Sequence, residues 1–162
     1  MRSFKYLFLF LIISCNSDES EEAIIDYSKI LVQESPWVLD RVEIYEIESK
    51  DGHVFTQSEI EELAEIMKDL YYGIFEFYED GSGLWNSEGW CPNCEITWWI
   101  EESGGNEIRW THRSYVHSHY IRSINQINEM IRNINNENGF TIQKPDGTFV
   151  EGNRLIGNYV WN

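Results

Sequence analysis

Basic residues are scarce in this chain, and several signatures of enzymes are missing. Twelve Lys and Arg stand against 28 Asp and Glu, which gives a formal net charge of −16. So acidic a surface repels nucleic acid and anionic lipid headgroups, and we expect no nucleic-acid partner. The sequence has no Gly-x-Ser-x-Gly, no His-Glu-x-x-His and no glycine-rich phosphate loop. These absences predict a protein that is not an enzyme and carries no cofactor.

The apolar run near the N-terminus is too short to cross a membrane. Residues 6–13 are apolar, and eight residues of helix span only about 12 Å of a hydrocarbon core of about 30 Å. Arg2 and Lys5 precede this run, and the small residue Ser14 follows it. The pattern predicts a signal peptide over residues 1–14.

The residues after this run indicate an anchor on the membrane. Ile12-Ile13-Ser14-Cys15 resembles the lipobox of bacterial lipoproteins, which implies cleavage before Cys15 and acylation of its thiol. The alternative is an ordinary secretory signal with an incidental cysteine. Residues 15–34 then form an acidic tether, which resembles export signals of Bacteroidota-type lipoproteins. We expect the protein to be located in the cell envelope, anchored by lipid to the outer membrane. The tether is either a signal for export to the cell surface or a plain solvated linker.

Residues 35–162 are predicted to form one domain, because we find no internal repeat and no second boundary. Residues 37–48 alternate and are rich in strand-forming types, which predicts a first strand. The alternation slips at Asp40 and Arg41, so we expect a bulge or an inward polar pair there.

Two amphipathic helices are predicted within this domain. The first covers about residues 58–71, where Ser58 and Glu61 would form a capping box before an apolar face. The second covers about residues 119–137 and stops at the helix-ending pair Asn-Gly. Its apolar residues step by three, three, four and three along the chain: Ile121, Ile124, Ile127, Ile131 and Ile134.

Two hairpins are predicted between these helices. The first covers residues 73–85 and turns at Asp-Gly-Ser-Gly. The second joins residues 95–102 to residues 107–113 across Ser-Gly-Gly-Asn. Inward-facing rings on these strands and on the first strand are the candidates for lining a ligand site: Trp37, Phe75, Phe77, Trp98 and Trp110.

The order of elements predicts a mainly β domain, an antiparallel meander closed into an up-and-down barrel of about eight strands. Three features resemble the lipocalin-like lipoproteins: Trp37-Val38-Leu39 in the first strand, Phe75-x-Phe77-x-x-Asp80-Gly81-x-Gly83 in the early hairpin, and a late helix before the closing strands. That family usually has Gly where Ser35 stands here, and the helix at 58–71 is an insertion. The resemblance implies a β-barrel, often with a small apolar cavity, and usually no catalysis.

The Cys91-Pro92-Asn93-Cys94 stretch raises the question of redox chemistry. A thiol–disulfide oxidoreductase needs a helix after this motif, because the helix N-terminus lowers the pKa of the attacking thiol. Here residues 95–102 read as a strand, and Glu95 places a negative charge beside the motif. We therefore predict a structural disulfide, as expected outside the cytoplasm, with a reduced and inert pair as the alternative.

A metal site is a further alternative for the two cysteines. His117 and His119 would share a face of an extended segment, and a Cys2His2 set suits zinc. His112 has the opposite strand parity, and nothing in the spacing brings these residues together. We expect isolated surface histidines and no metal.

Two functions remain open at this point. In the first, the barrel of a cell-envelope lipoprotein binds a small apolar or amphipathic ligand, lined by the five rings named above. In the second, those rings fill a solid core, and the chain is a surface-displayed subunit or inhibitor. It would then dock a protein or a glycan through Trp85, Trp90 or Trp99.

Overall fold

A computed structural model describes residues 25–87, 91–101 and 105–162. The predicted signal peptide, Cys15 and Trp90 lie outside the described residues. The elements are α1 Tyr27–Gln33, β1 Trp37–Ser49, α2 Gln57–Tyr71, β2 Ile74–Phe77, β3 Ser82–Ser87, β4 Cys91–Ile100, β5 Glu107–His112, β6 Tyr115–Ile124, β7 Ile127–Asn136, β8 Phe140–Gln143 and β9 Phe149–Trp161. Neither of these two helices has the length and apolar character that a bilayer crossing requires.

The sheet closes into a barrel because β1 pairs with β2 on one side and with β9 on the other. Within the described residues, eight strands follow in the ring order β1-β2-β3-β4-β5-β6-β7-β9, and every pairing is antiparallel. β8 pairs with the first part of β9 and prolongs the wall beyond β7. The prediction of a mainly β, antiparallel, closed barrel is confirmed.

The long seam between β1 and β9 carries the predicted irregularity of the first strand. The register shifts between Leu39 and Arg41, which is the bulge expected near Asp40. Further along this seam the two backbones approach so closely that a Cβ on Gly157 would collide with the carbonyl oxygen of Glu43. A glycine at this position therefore permits the pairing that closes the barrel.

The predicted second helix, residues 119–137, is wrong, because this segment forms most of the β6–β7 hairpin. Asn125 and Gln126 have φ values of 52° and 68°, which builds a tight two-residue turn. Ile124 and Ile127 pair across that turn and are exposed. Isoleucine and asparagine are both poor helix formers, and neighbouring strands on each side satisfy the extended backbone. The late helix of the lipocalin-like resemblance is thus missing from this segment.

The first predicted helix is confirmed as α2, with a different cap. The capping box joins Thr56 and Glu59 instead of Ser58 and Glu61, and the Glu59 carboxylate accepts the Thr56 N–H at 2.8 Å. Three apolar residues on its inner face are buried in the core: Leu63, Ile66 and Met67. The α2 helix packs against β1.

Part of the predicted acidic tether is folded onto the barrel. Residues 27–33 form α1, capped by Asp26, whose carboxylate accepts the Lys29 N–H at 3.1 Å. Leu31 of this helix is fully buried, and its carbonyl oxygen accepts the indole N–H of Trp37 at 2.8 Å. The folded domain therefore begins before residue 35, because an apolar residue within the acidic segment reaches the core.

The α1 helix closes one end of the barrel, which we call the closed end. Its contacts are with β2 and β4, near the residues where these strands finish. Three of the predicted rings fill the interior here and are buried: Trp37, Phe77 and Trp98. The indole N–H of Trp98 donates to the carbonyl oxygens of Ser82 and Tyr78 at 2.8 and 3.1 Å. This end has a solid, satisfied core.

An ion-pair network on the outer wall joins β1, β6 and β7. Glu129 accepts from Arg41 at 2.6 Å and from Arg122 at 2.9 Å, and Glu43 also accepts from both arginines. Burial by itself raises the pKa of Glu43, but hydrogen bonds from Arg122, Tyr45 and Arg41 lower it to about 2. The network ties the closing seam of the barrel to its neighbouring strands.

Candidate functional site

A cavity of about 480 Å³ lies at the opposite end, which we call the open end. It is lined by the first residues of β2, β4 and β6, the last residues of β3, β5 and β9, and the C-terminal end of α2. Its volume falls in the range of roughly 300–1,000 Å³ that is usual for small-molecule sites.

Aromatic rings form most of the cavity wall. Six of them are Tyr71, Phe75, Trp85, Trp110, Tyr159 and Trp161. The ring of Trp110 lies at the centre of this wall, with centroids 5.1 Å from Phe75 and 5.5 Å from Trp85. Of the five rings predicted to line a site, Phe75 and Trp110 line this cavity, and the other three lie in the core of the closed end.

The β5–β6 hairpin brings three histidines to the same cavity: His112, His117 and His119. His117 stacks on Trp110, with ring centroids 4.2 Å apart and an interplanar angle of 22°. Partial burial lowers the pKa of His117, and the positive charge of Arg132 and the nearby His112 lower it further. The stacked imidazole is therefore mostly neutral at pH 7.

His119 is buried, with 1% of its surface exposed, and its protonation is set by its neighbour. The indole N–H of Trp110 donates to Nδ1 of His119 at 2.8 Å. Because an indole N–H only donates, Nδ1 is the acceptor, and the proton of the neutral ring is on Nε2. Burial, Arg132 and His117 all lower the pKa of His119 well below its ordinary value of 6.5.

The Nε2–H of His119 is a donor without a hydrogen-bond partner among the described residues. A buried donor left without a partner costs about 1–3 kcal/mol. His119 lines the cavity, although its Nε2 atom is itself buried.

Cys91 lines the cavity and forms a disulfide with Cys94. Cys91 and Cys94 are bonded across a bulge at the start of β4, where the pairing with β3 shifts register. Cys94 is followed by the rest of that strand, as predicted, and not by the helix that an oxidoreductase requires. The arrangement is that of a structural staple.

The residues that could hold a metal in the structure differ from the Cys2His2 set considered from the sequence. Sγ of Cys91 lies 3.4 Å from Nε2 of His112, and Cys91, Cys94 and His112 could approach one ion. His117 and His119 do not belong to this group. Since the two sulfurs are bonded to each other, thiolate ligands would require reduction of the disulfide.

The fold places two of the tryptophans considered for docking a partner, Trp85 and Trp99, on different surfaces. Trp85 lines the cavity, Trp90 lies outside the described residues, and Trp99 is exposed on the outer face of β4.

Sequence reasoning missed the histidines and Arg132 as cavity residues. The helix expected from residue 119 hid the alternation of β6, in which His117, His119 and Ile121 occupy every second position. Strand parity alone, applied from residue 115 onward, would have placed the two histidines on the inner face.

Comparison of the chain with protein-family models, with curated proteins and with solved structures gave no match. The resemblance to lipocalin-like lipoproteins therefore stays a prediction.

Proposed function

We propose that this protein is a cell-envelope lipoprotein whose β-barrel binds a small amphipathic ligand without transforming it. The observation that carries the proposal is the cavity of about 480 Å³ at the open end, walled by aromatic rings and entered by a few polar groups. Ligand sites combine an apolar wall with a small number of polar groups in this way.

Binding is favoured over catalysis by the state of the reactive groups. The sulfur of Cys91 is bonded to Cys94, so it does not offer a thiolate nucleophile. Nδ1 of His119 is engaged by Trp110, which leaves this imidazole a hydrogen-bond donor instead of a base.

The binding test is calorimetric titration of the full-length chain in a non-ionic detergent, with the detergent blank subtracted. The probes are 2-naphthoate and 2-naphthamide, which share one ring system and differ in charge. We expect at least one probe to bind with a Kd below about 1 mM, a modest affinity for a ligand of this size. Absence of binding by both probes would remove the proposal.

Two variants of α2 locate the bound probe. Leu70→Trp places a large ring at the cavity rim and should weaken binding several-fold. Glu65→Trp adds the same ring to an exposed position of α2 that does not line the cavity, and it should bind like the unmodified chain.

The anchor is part of the same proposal and has its own test. Labelling of growing cells with a palmitate analogue should mark the unmodified chain and not Cys15→Ala. Digestion of intact cells with an added protease would then distinguish surface display from an inward-facing location.

A further inference from the structure

Charge is distributed unevenly between the cavity and the rest of the molecule. Among the described residues, the cavity lining contains Arg113, Arg132 and three histidines, and no Asp or Glu. This occurs in a chain with 28 acidic and 12 basic residues. Four other surface clefts of the described residues each include at least one carboxylate. The open end is therefore a local exception to an acidic surface.

The arginines that line the cavity also differ from the other described arginines in their ion pairing. Six arginines are described, and four of them form ion pairs with carboxylates: Arg41, Arg109, Arg122 and Arg154. The remaining two, Arg113 and Arg132, have no carboxylate of the described residues within 4.0 Å, and both line the cavity. A guanidinium presents its donors in a planar fork that matches a carboxylate.

Arg132 and His119 are neighbours on the inner face of the sheet. Tyr120 of β6 pairs with Ile131 of β7, so the next positions, His119 and Arg132, share the opposite, inner face of the sheet. Both residues line the cavity. The fold thus places a cation beside an aromatic-walled volume that no carboxylate of the described residues lines.

We propose that the cavity binds an amphipathic organic anion, with its carboxylate on the guanidinium of Arg132. The aromatic wall around Phe75 and Trp110 holds the apolar body of the ligand. This inference rests on the proposed function and adds the chemical class of the ligand to it.

The experiment compares 2-naphthoate with 2-naphthamide on the full-length chain, in the titration described above. We expect the carboxylate to bind about tenfold more tightly, since a charge-assisted hydrogen bond is worth about that factor. Arg132→Gln should abolish this preference, because it should weaken the binding of 2-naphthoate far more than that of 2-naphthamide. Arg132→Lys, which keeps the charge, should retain part of it.

Arg154→Gln is the matched control, because Arg154 pairs with Glu46 and does not line the cavity. It should bind both probes like the unmodified chain, and circular dichroism of each variant checks that the barrel is intact. Equal affinities for the two probes, or a preference that survives Arg132→Gln, would overturn the anion inference and leave the binding function standing. Binding of neither probe would instead remove the binding function itself.

Discussion

The closed end and the open end of this barrel differ in how their buried polar groups are hydrogen-bonded. At the closed end, α1 supplies Leu31, and the indole N–H groups of Trp37 and Trp98 end on backbone carbonyl oxygens. At the open end, the indole N–H of Trp110 ends on His119, whose other nitrogen has no partner among the described residues. One end is satisfied by the chain itself, and the other leaves a donor and a cavity.

This difference shows that the polar residues of an aromatic-rich interior, and not its rings, distinguish a binding site from a solid core. Buried rings line both ends, so ring content alone does not separate a solid core from a binding site. The separating feature is the polar residues on the inner face. Leu39 and Ile108 are buried within the core, whereas Arg132 and the histidines keep the open end polar and unfilled.

The largest expected effect compares one phenylalanine from each end. Phe77→Ala should lower the free energy of unfolding by about 3–5 kcal/mol, because it leaves a void in a filled core. Phe75→Ala should cost less, about 2–3 kcal/mol, because one side of that ring already faces the cavity. Urea denaturation of both variants gives these values, and equal losses would mean that the two ends are packed alike.

A change in α1 tests whether the closed end depends on it. Leu31→Ala should cost about 2–5 kcal/mol, the usual range for a buried leucine. Because Leu31 is remote from the cavity, the affinity for 2-naphthoate should not change. Denaturation and titration of the same sample make this comparison, and a loss of affinity in the folded variant would show that the ends are coupled.

The sequence predicts the strands well where period and turn chemistry agree. The predicted hairpin is present as β4–β5, where Trp98 pairs with Trp110, and the bulge near Asp40 is where the alternation slips. The closure between β1 and β9 also follows from a meander whose last strand must find an edge.

The open end could not be predicted for two physical reasons. The isoleucines of residues 121–134 fit a helical period by chance, and tertiary pairing overrode that local signal. The missing partner of His119 is a property of side-chain packing between β5, β6 and β9, which no spacing in the chain encodes.

The third prediction uses pH to separate the ends. In the folded protein the pKa of His119 lies well below 6.5, while in the unfolded chain it returns to about 6.5. Below pH 6.5 the unfolded chain therefore binds a proton that the folded chain does not. Stability is complete above that pH and falls as the pH decreases, by at most about 1.4 kcal/mol per pH unit for one such site.

The groups that face His119 all favour its neutral form or do not titrate in this range: Phe75, Trp110, His117, Arg132 and Trp161. His119→Gln should therefore flatten the loss of stability between pH 8 and pH 5.5, measured by urea denaturation, and His117→Gln should flatten it less. An unchanged slope in His119→Gln would assign the pH dependence to groups elsewhere in the barrel.

The smallest expected effect on the free energy of unfolding is that of Arg132→Gln, and it tests the role of the open end most directly. Arg132→Gln should change the free energy of unfolding by less than about 0.5 kcal/mol, because no described carboxylate depends on this guanidinium. Its counterpart on the outer wall, Arg122→Gln, should cost about 1–2 kcal/mol, since Glu43 and Glu129 both lose a donor. Parallel denaturation of the two variants measures the difference. A large cost for Arg132→Gln would make this arginine part of the fold, and a negligible cost together with a lost preference for 2-naphthoate would make it a residue that serves the ligand.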